Sequence, residues 1–134
     1  NFVKTMLRLA KERDVLSVVG DQVGGPTYAG DVAAALIKIA NGIIEGKTEA
    51  FGIYHFTGKP DVSWYAFAQV ILEQAVVQKL LSNYPLVKRI STADYPTSAQ
   101  RPANSRLDLT EIKQTFDIAP SDWQNALENI KAYS

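Results

Sequence analysis

The sequence predicts an α/β fold, and three observations carry that reading. Runs rich in β-branched and aromatic residues at 16–19, 51–56 and 87–91 alternate with segments of helical periodicity. Strands followed by helices are the signature of a sheet with helices packed on it. The length of 134 residues, with 46% apolar and 21% charged, is enough to bury a core without staples. Cysteine is absent, so no disulfide framework, zinc–thiolate site or cysteine nucleophile can be built. Fourteen basic and fourteen acidic residues balance to zero net charge. That balance argues against a nucleic-acid or anionic-membrane binder, both of which want a basic surplus. No apolar run has the length of a membrane span. The expectation is a soluble, cytoplasmic, single domain over residues 1–134.

Residues 2–12 read as the first helix, with Phe2, Met6, Leu9 and Ala10 on one face and Lys4, Arg8 and Lys11 largely on the other. Asn1 opens the chain with no initiator Met and no cap ahead of this helix, which reads as a start partway through something longer. Residues 16–19 form a short strand, and 21–30 a Gly-rich loop containing Pro26. Asp31 is placed to cap a second helix whose buried stripe is Val32, Leu36 and Ile39; the stretch 41–47, with Gly42 and Gly46, ends it.

The run 51–56 is aromatic and almost continuously apolar, as suits a strand covered on both faces. Ser63 is a good N-cap for a third helix, and Val62 with Phe67 has the spacing of a hydrophobic staple. Trp64, Phe67, Ala68, Ile71 and Ala75 share a face that reads as core. A short strand at 87–91 and an irregular run at 94–104, with Pro96 and Pro102, follow. Asp108 with Glu111 resembles a capping box for a fourth helix presenting Leu109, Ile112 and Phe116. Ser121 with Gln124 starts a last helix after Pro120, presenting Trp123, Leu127 and Ile130.

Few residues suggest chemistry. His55, the only histidine, lies within an apolar strand and reads as structural rather than as a general base. One His and no Cys exclude a His/Cys metal site. Gly20, Gly24 and Gly25 follow a strand, but Pro26 replaces the helix start that a dinucleotide fingerprint requires. Tyr84 and Lys88 have the spacing of a Tyr-x-x-x-Lys pair, yet Pro85 between them and a strand after them deny the shared helical face.

Two loops stand out. The stretch 21–28 offers an amide, hydroxyls and glycine backbone that a ligand could approach. The stretch 95–106 holds Arg101, Arg106, Asn104 and several hydroxyls between prolines, which suits a phosphate or sugar ligand. The competing reading is a surface loop whose arginines pair with nearby carboxylates, and composition alone favours it.

The order of segments decides between these. Residues 1–10, Asp21-Gln22 with Gly24 and Pro26-Thr27, then Gly52-Ile53-Tyr54-His55, Ser63-Trp64, and Arg101-Pro102-Ala103-Asn104-Ser105-Arg106-Leu107-Asp108 resemble the dTDP-4-dehydrorhamnose reductase family of extended short-chain dehydrogenases. The resemblance covers that family's C-terminal part and implies a substrate-binding portion with a few short strands and about five helices. It implies that the Rossmann part, which binds NADPH or NADH and carries the catalytic Tyr and Lys, lies outside this chain. No catalytic, cofactor-binding or metal residue is then expected within it, and the fragment alone should be inactive. Gln22, Gly24, Pro26 and Thr27 would border the substrate cleft, and Arg101 and Asn104 would contact the nucleotide diphosphate or its surroundings. Arg106 and Asp108 would fix the loop and cap the next helix, while Tyr54 and His55 would sit in the last strand of the large sheet. Some relatives carry an acidic residue at the position of Gly30 that helps hold a metal at a dimer contact; glycine has no such ligand, so no metal is expected.

The implied partner is a dTDP-sugar, with no nucleic acid and no membrane; a homodimer is compatible. Two other readings stay open. One is a non-catalytic regulatory protein on the same scaffold, like the regulatory subunit of methionine adenosyltransferase. The other is a different sugar-nucleotide reductase or epimerase.

Overall fold

A computed structural model describes residues 1–46 and 50–133. In chain order they form α1 (Phe2–Glu12), β1 (Val15–Val19), β2 (Val23–Gly24), α2 (Ala29–Ile44), β3 (Val62–Ser63), α3 (Trp64–Val77), β4 (Leu86–Ile90), α4 (Thr110–Phe116), α5 (Trp123–Leu127) and a closing 3-10 turn (Ile130–Tyr133). Two compact units emerge: Asn1–Gly24 with Val62–Ser105 and Gln124–Ser134, and Gly25–Asp61 with Arg106–Trp123.

The first unit is built on two strand pairs. β1 and β4 run parallel, in a register that sets Val15 against Leu86 and Val19 against Ile90. β2 and β3 pair antiparallel, Val23 against Ser63. Helix α3 packs on α1, on both parallel strands and on the 3-10 turn. Its apolar residues Phe67, Ala68, Ile71, Leu72 and Ala75 are all buried, as their spacing predicts. Ser63 caps it, its hydroxyl accepting the Ala66 N–H at 3.1 Å. Helix α1 has a cap after all: the Asn1 side chain accepts the Lys4 N–H at 3.0 Å. Its most buried residues are Val3, Met6 and Leu7, so the buried face is rotated from the expected one, and Phe2, Leu9 and Ala10 are only half-buried. Phe2 stacks on Phe67 with ring centroids 5.6 Å apart.

The second unit has a small core of Ala35, Ile112, Phe116 and Ile118, against which Ile39, Tyr54, Phe56 and Leu109 pack. Tyr54 meets Phe116 edge-on at 5.1 Å. Several expectations fail here, each for a physical reason. Helix α2 starts at Ala29, with no side-chain cap. Asp31 sits inside its first turn, and its carboxylate accepts the Ser121 hydroxyl at 2.6 Å. The buried stripe of α2 runs through Ala35, Ile39 and Gly42, while Val32 and Leu36 are exposed. The chain is apolar all round the helix from Val32 to Ile37, so periodicity could not choose the face. The predicted end of that segment at Lys47 lies outside the described residues.

The run 51–56 is not a strand. It finds no ladder partner among the described residues, and it is covered on one side only: Tyr54 and Phe56 are half-buried, Ile53 and His55 exposed. His55 is thus not an interior histidine. Asp108 does not box α4 as expected; its carboxylate accepts the Thr110 N–H at 2.9 Å and the Thr110 hydroxyl at 2.6 Å, one residue ahead of the cap position at Leu109. These bonds hold its carboxyl below the usual range. Ser121 does not cap α5 either. It is buried, accepts the Tyr28 N–H at 3.1 Å, donates to Asp31, and its backbone bridges Gly58.

Candidate functional site

The site begins where the parallel pair ends. Continuing the β1–β4 register two residues past Val19 and Ile90 brings Asp21 beside Thr92. The Asp21 carboxylate accepts the Thr92 N–H at 3.0 and 2.9 Å and the Thr92 hydroxyl at 2.7 Å. Those bonds, chiefly the backbone one, hold the Asp21 carboxyl below its ordinary value. Asp94 is lowered likewise, by the Ser91 hydroxyl and N–H. Thr92 in turn accepts from the Gln22 side-chain amide at 3.1 Å.

Gln22 is 9% exposed and forms part of a cavity of about 400 Å3, the size of a small-molecule site. Phe2, Met6 and Trp64 give that cavity an apolar and aromatic wall, and Tyr95, Thr97 and Arg101 bring hydroxyls and a cation. Trp64, read as core from its helical spacing, is 42% exposed and faces this space, with its ring 4.8 Å from Phe2. An adjoining hollow shares Arg101 and adds Asp21, Thr92 and Gln100.

Two expected site residues therefore meet, from positions far apart in the chain: Gln22 and Arg101. Arg101 is exposed and makes no hydrogen bond or ion pair among the described residues. The alternative of an arginine spent on a nearby carboxylate does not describe it. Gly24 and Asn104 serve the frame around the cavity. Val23 bridges Asn104, with the Val23 N–H donating to Ala103 and the Ser105 N–H donating to Val23, both at 2.9 Å. Pro26 and Thr27 belong to the second unit. There the Thr27 hydroxyl lies 3.0 Å from the Thr57 hydroxyl and accepts the Gly58 N–H at 3.1 Å.

The glycines around the first loop are close approaches of chain on chain. A Cβ at Gly20 would meet Arg89 Nε at 2.2 Å, one at Gly24 the Ser105 hydroxyl at 2.3 Å, and one at Gly25 the Gly58 carbonyl at 2.2 Å. At all three a protein neighbour occupies the place of a side chain. Burial pushes the Tyr84 phenol up, and Glu73 and Tyr65 add to the shift. Lys88 lies in β4, so the two share no helix. Among the described residues no cluster of three metal-ligating side chains occurs, and no helix is long and apolar enough to cross a membrane.

Phe2 and Trp64 read in the sequence as helix faces, and Tyr95 and Thr97 only as parts of a polar loop, so none of the four stands out as a cavity residue. The pairing of Trp64 with Ser63, in a resemblance segment, was the only signal for the tryptophan.

Comparison with known proteins matches this geometry to a family. The chain is 67% identical over its whole length to a dTDP-4-dehydrorhamnose reductase of Aggregatibacter actinomycetemcomitans, of which it covers 46%. The solved dTDP-4-dehydrorhamnose reductase of Clostridium acetobutylicum superposes with a TM-score of 0.82 at 32% identity, covering 98% of this chain and 43% of that one. That of Bacillus anthracis, solved in complex with NADP, gives 0.78 at 33% identity, covering 100% and 43%. The chain thus spans a little under half the length of these relatives. The model of the RmlD substrate binding domain matches residues 1–133, and the chain belongs to that family.

Proposed function

We propose that residues 1–134 act as one substrate-binding part of a dTDP-4-dehydrorhamnose reductase, which reduces dTDP-4-dehydro-L-rhamnose to dTDP-L-rhamnose with NADPH or NADH in the cytoplasm. The observation that carries this reading is the meeting of unpaired Arg101 and anchored Gln22 in one aromatic-walled cavity. Arginine's planar fork matches a diphosphate with two parallel bonds. The apolar wall of Phe2 and Trp64 suits a base or sugar face, and the hydroxyls of Tyr95 and Thr97 suit sugar oxygens. Asn104 and Gly24 flank Val23, the residue after Gln22, in the same unit. The cofactor is assigned to the part of the enzyme outside this chain, because Pro26 stands where a dinucleotide fingerprint would open its helix.

The test uses the full-length enzyme. It should consume NADPH with the dTDP-ketosugar, and dTDP-rhamnose should compete better than UDP- or GDP-sugars. Arg101→Ala should lower kcat/KM by about tenfold or more, a charge-assisted contact being worth about 1.5–3 kcal/mol. An unchanged kcat/KM removes Arg101 from the site. The 134-residue chain by itself should show no turnover; turnover by it would overturn the assignment of the chemistry to the other part.

A further inference from the structure

We propose that Asp21 and Thr92 are positioning residues that fix the Gln22 side-chain amide with its carbonyl oxygen presented to the ligand, so that this corner of the cavity accepts a hydrogen bond from a ligand hydroxyl. The inference rests on the substrate-binding reading above and goes beyond it by giving the site a hydrogen-bond direction.

The argument is one of donors and acceptors. An ionised carboxylate can only accept. Thr92 therefore spends its single hydroxyl proton on Asp21, across 2.7 Å. Its oxygen can then only accept from Gln22, so the group facing it at 3.1 Å is the amide nitrogen. An amide turned over would set its carbonyl against an oxygen with no proton left to give. The Thr92 N–H, also held by Asp21, keeps that hydroxyl from moving away. The low carboxyl of Asp21 keeps the relay in this one direction at neutral pH. The backbone beside the amide is held too: the Gln22 carbonyl accepts the Trp64 N–H at 3.3 Å. Gln22 is nearly buried and borders the cavity, so its remaining acceptor is the amide oxygen. A sugar hydroxyl is the ligand group with a proton to place there.

Thr92→Val keeps the side chain's shape and removes the relay, and Thr92 is exposed, so the fold tolerates the change. In the full-length enzyme Thr92→Val should raise KM for the dTDP-ketosugar about fivefold, as for one lost neutral hydrogen bond, with kcat within about twofold. Thr92→Ser should restore the wild-type KM. Asp21→Asn, whose amide can donate, should match Thr92→Val because the direction is no longer imposed. Gln22→Leu should raise KM by at least as much, and the double variant with Thr92→Val should be no worse than Gln22→Leu alone, since both remove one interaction. A wild-type KM in Thr92→Val, a Thr92→Ser that fails to rescue, or additive effects in the double variant would overturn the relay while leaving the substrate assignment standing. Absence of turnover by wild-type enzyme would instead overturn the substrate assignment and the relay with it.

Discussion

The two units bury their apolar residues very differently. In the first, Ile71, Leu72 and Ile130 are wholly shielded, and strands, two helices and the 3-10 turn close on them. In the second, a smaller core of Ile112, Phe116 and Trp123 is buried together with the polar Ser121, while Leu36 and Ile37 are each 62% exposed and Ile44, Phe51 and Ile53 more so. The first unit's order comes from a filled core. The second unit adds directional bonds to its smaller core: the Ser121 hub, the Thr27–Thr57 contact and the Trp123 indole donating to the Pro60 carbonyl at 3.0 Å. The lesson is that one chain can specify neighbouring regions by different means, and that substitutions should respond accordingly.

The largest expected contrast is in the core. Ile71→Ala should cost about 2–5 kcal/mol in urea unfolding, because it leaves a cavity in a site that is fully enclosed. Next comes the hub: Ser121→Ala should cost about 1–3 kcal/mol, the Tyr28 N–H losing its acceptor and Asp31 its donor in a buried place. If Ser121→Ala were harmless, the second unit would not depend on its polar hub. Ile53→Ser, at a side chain 85% exposed, should change the stability of this chain by less than about 0.5 kcal/mol in the same measurement.

The smallest effect concerns acid. Asp21, Asp94 and Asp108 all have folded carboxyl values below the ordinary 3.8. A carboxyl lowered by folding contributes stability that is present above its unfolded value and lost as pH falls through the folded one. The Asp21–Thr92, Ser91–Asp94 and Asp108–Thr110 contacts should therefore hold from neutral pH down to about 4 and open below it. Amide chemical shifts of Thr92, Ser91 and Thr110 followed through an acid titration check this. Movement of those signals between pH 5 and 7 would contradict it.

How much of this was legible in the sequence follows from the same contrast. Where burial is amphipathic the pattern is readable: α3 with its Ser63 cap, β1 and β4 all lie where the residues place them. Where a helix is apolar all round, as α2 is from Val32 to Ile37, spacing cannot say which side is covered. The run 51–56 has a strand's composition, but a strand is a relation between two segments, and composition carries one. Asp31, Asp108 and Ser121 look like caps because Ser and Asp suit caps; the same groups serve tertiary bonds equally well. Gln22 and Arg101, which line one cavity, are singled out by residue type and segment order. The Asp21–Thr92 contact is not, since it depends on the register of two strands 71 residues apart.

One consequence follows from the isolation of Arg101. The chain's formal charge is zero, so no net charge of the chain reinforces this single guanidinium at long range. At physiological salt its influence fades within about 8 Å. On the proposed function, Arg101 would grip an anionic nucleotide chiefly once that ligand has arrived. Its contribution should therefore lie in how slowly the ligand leaves, and association rates should vary little with ionic strength.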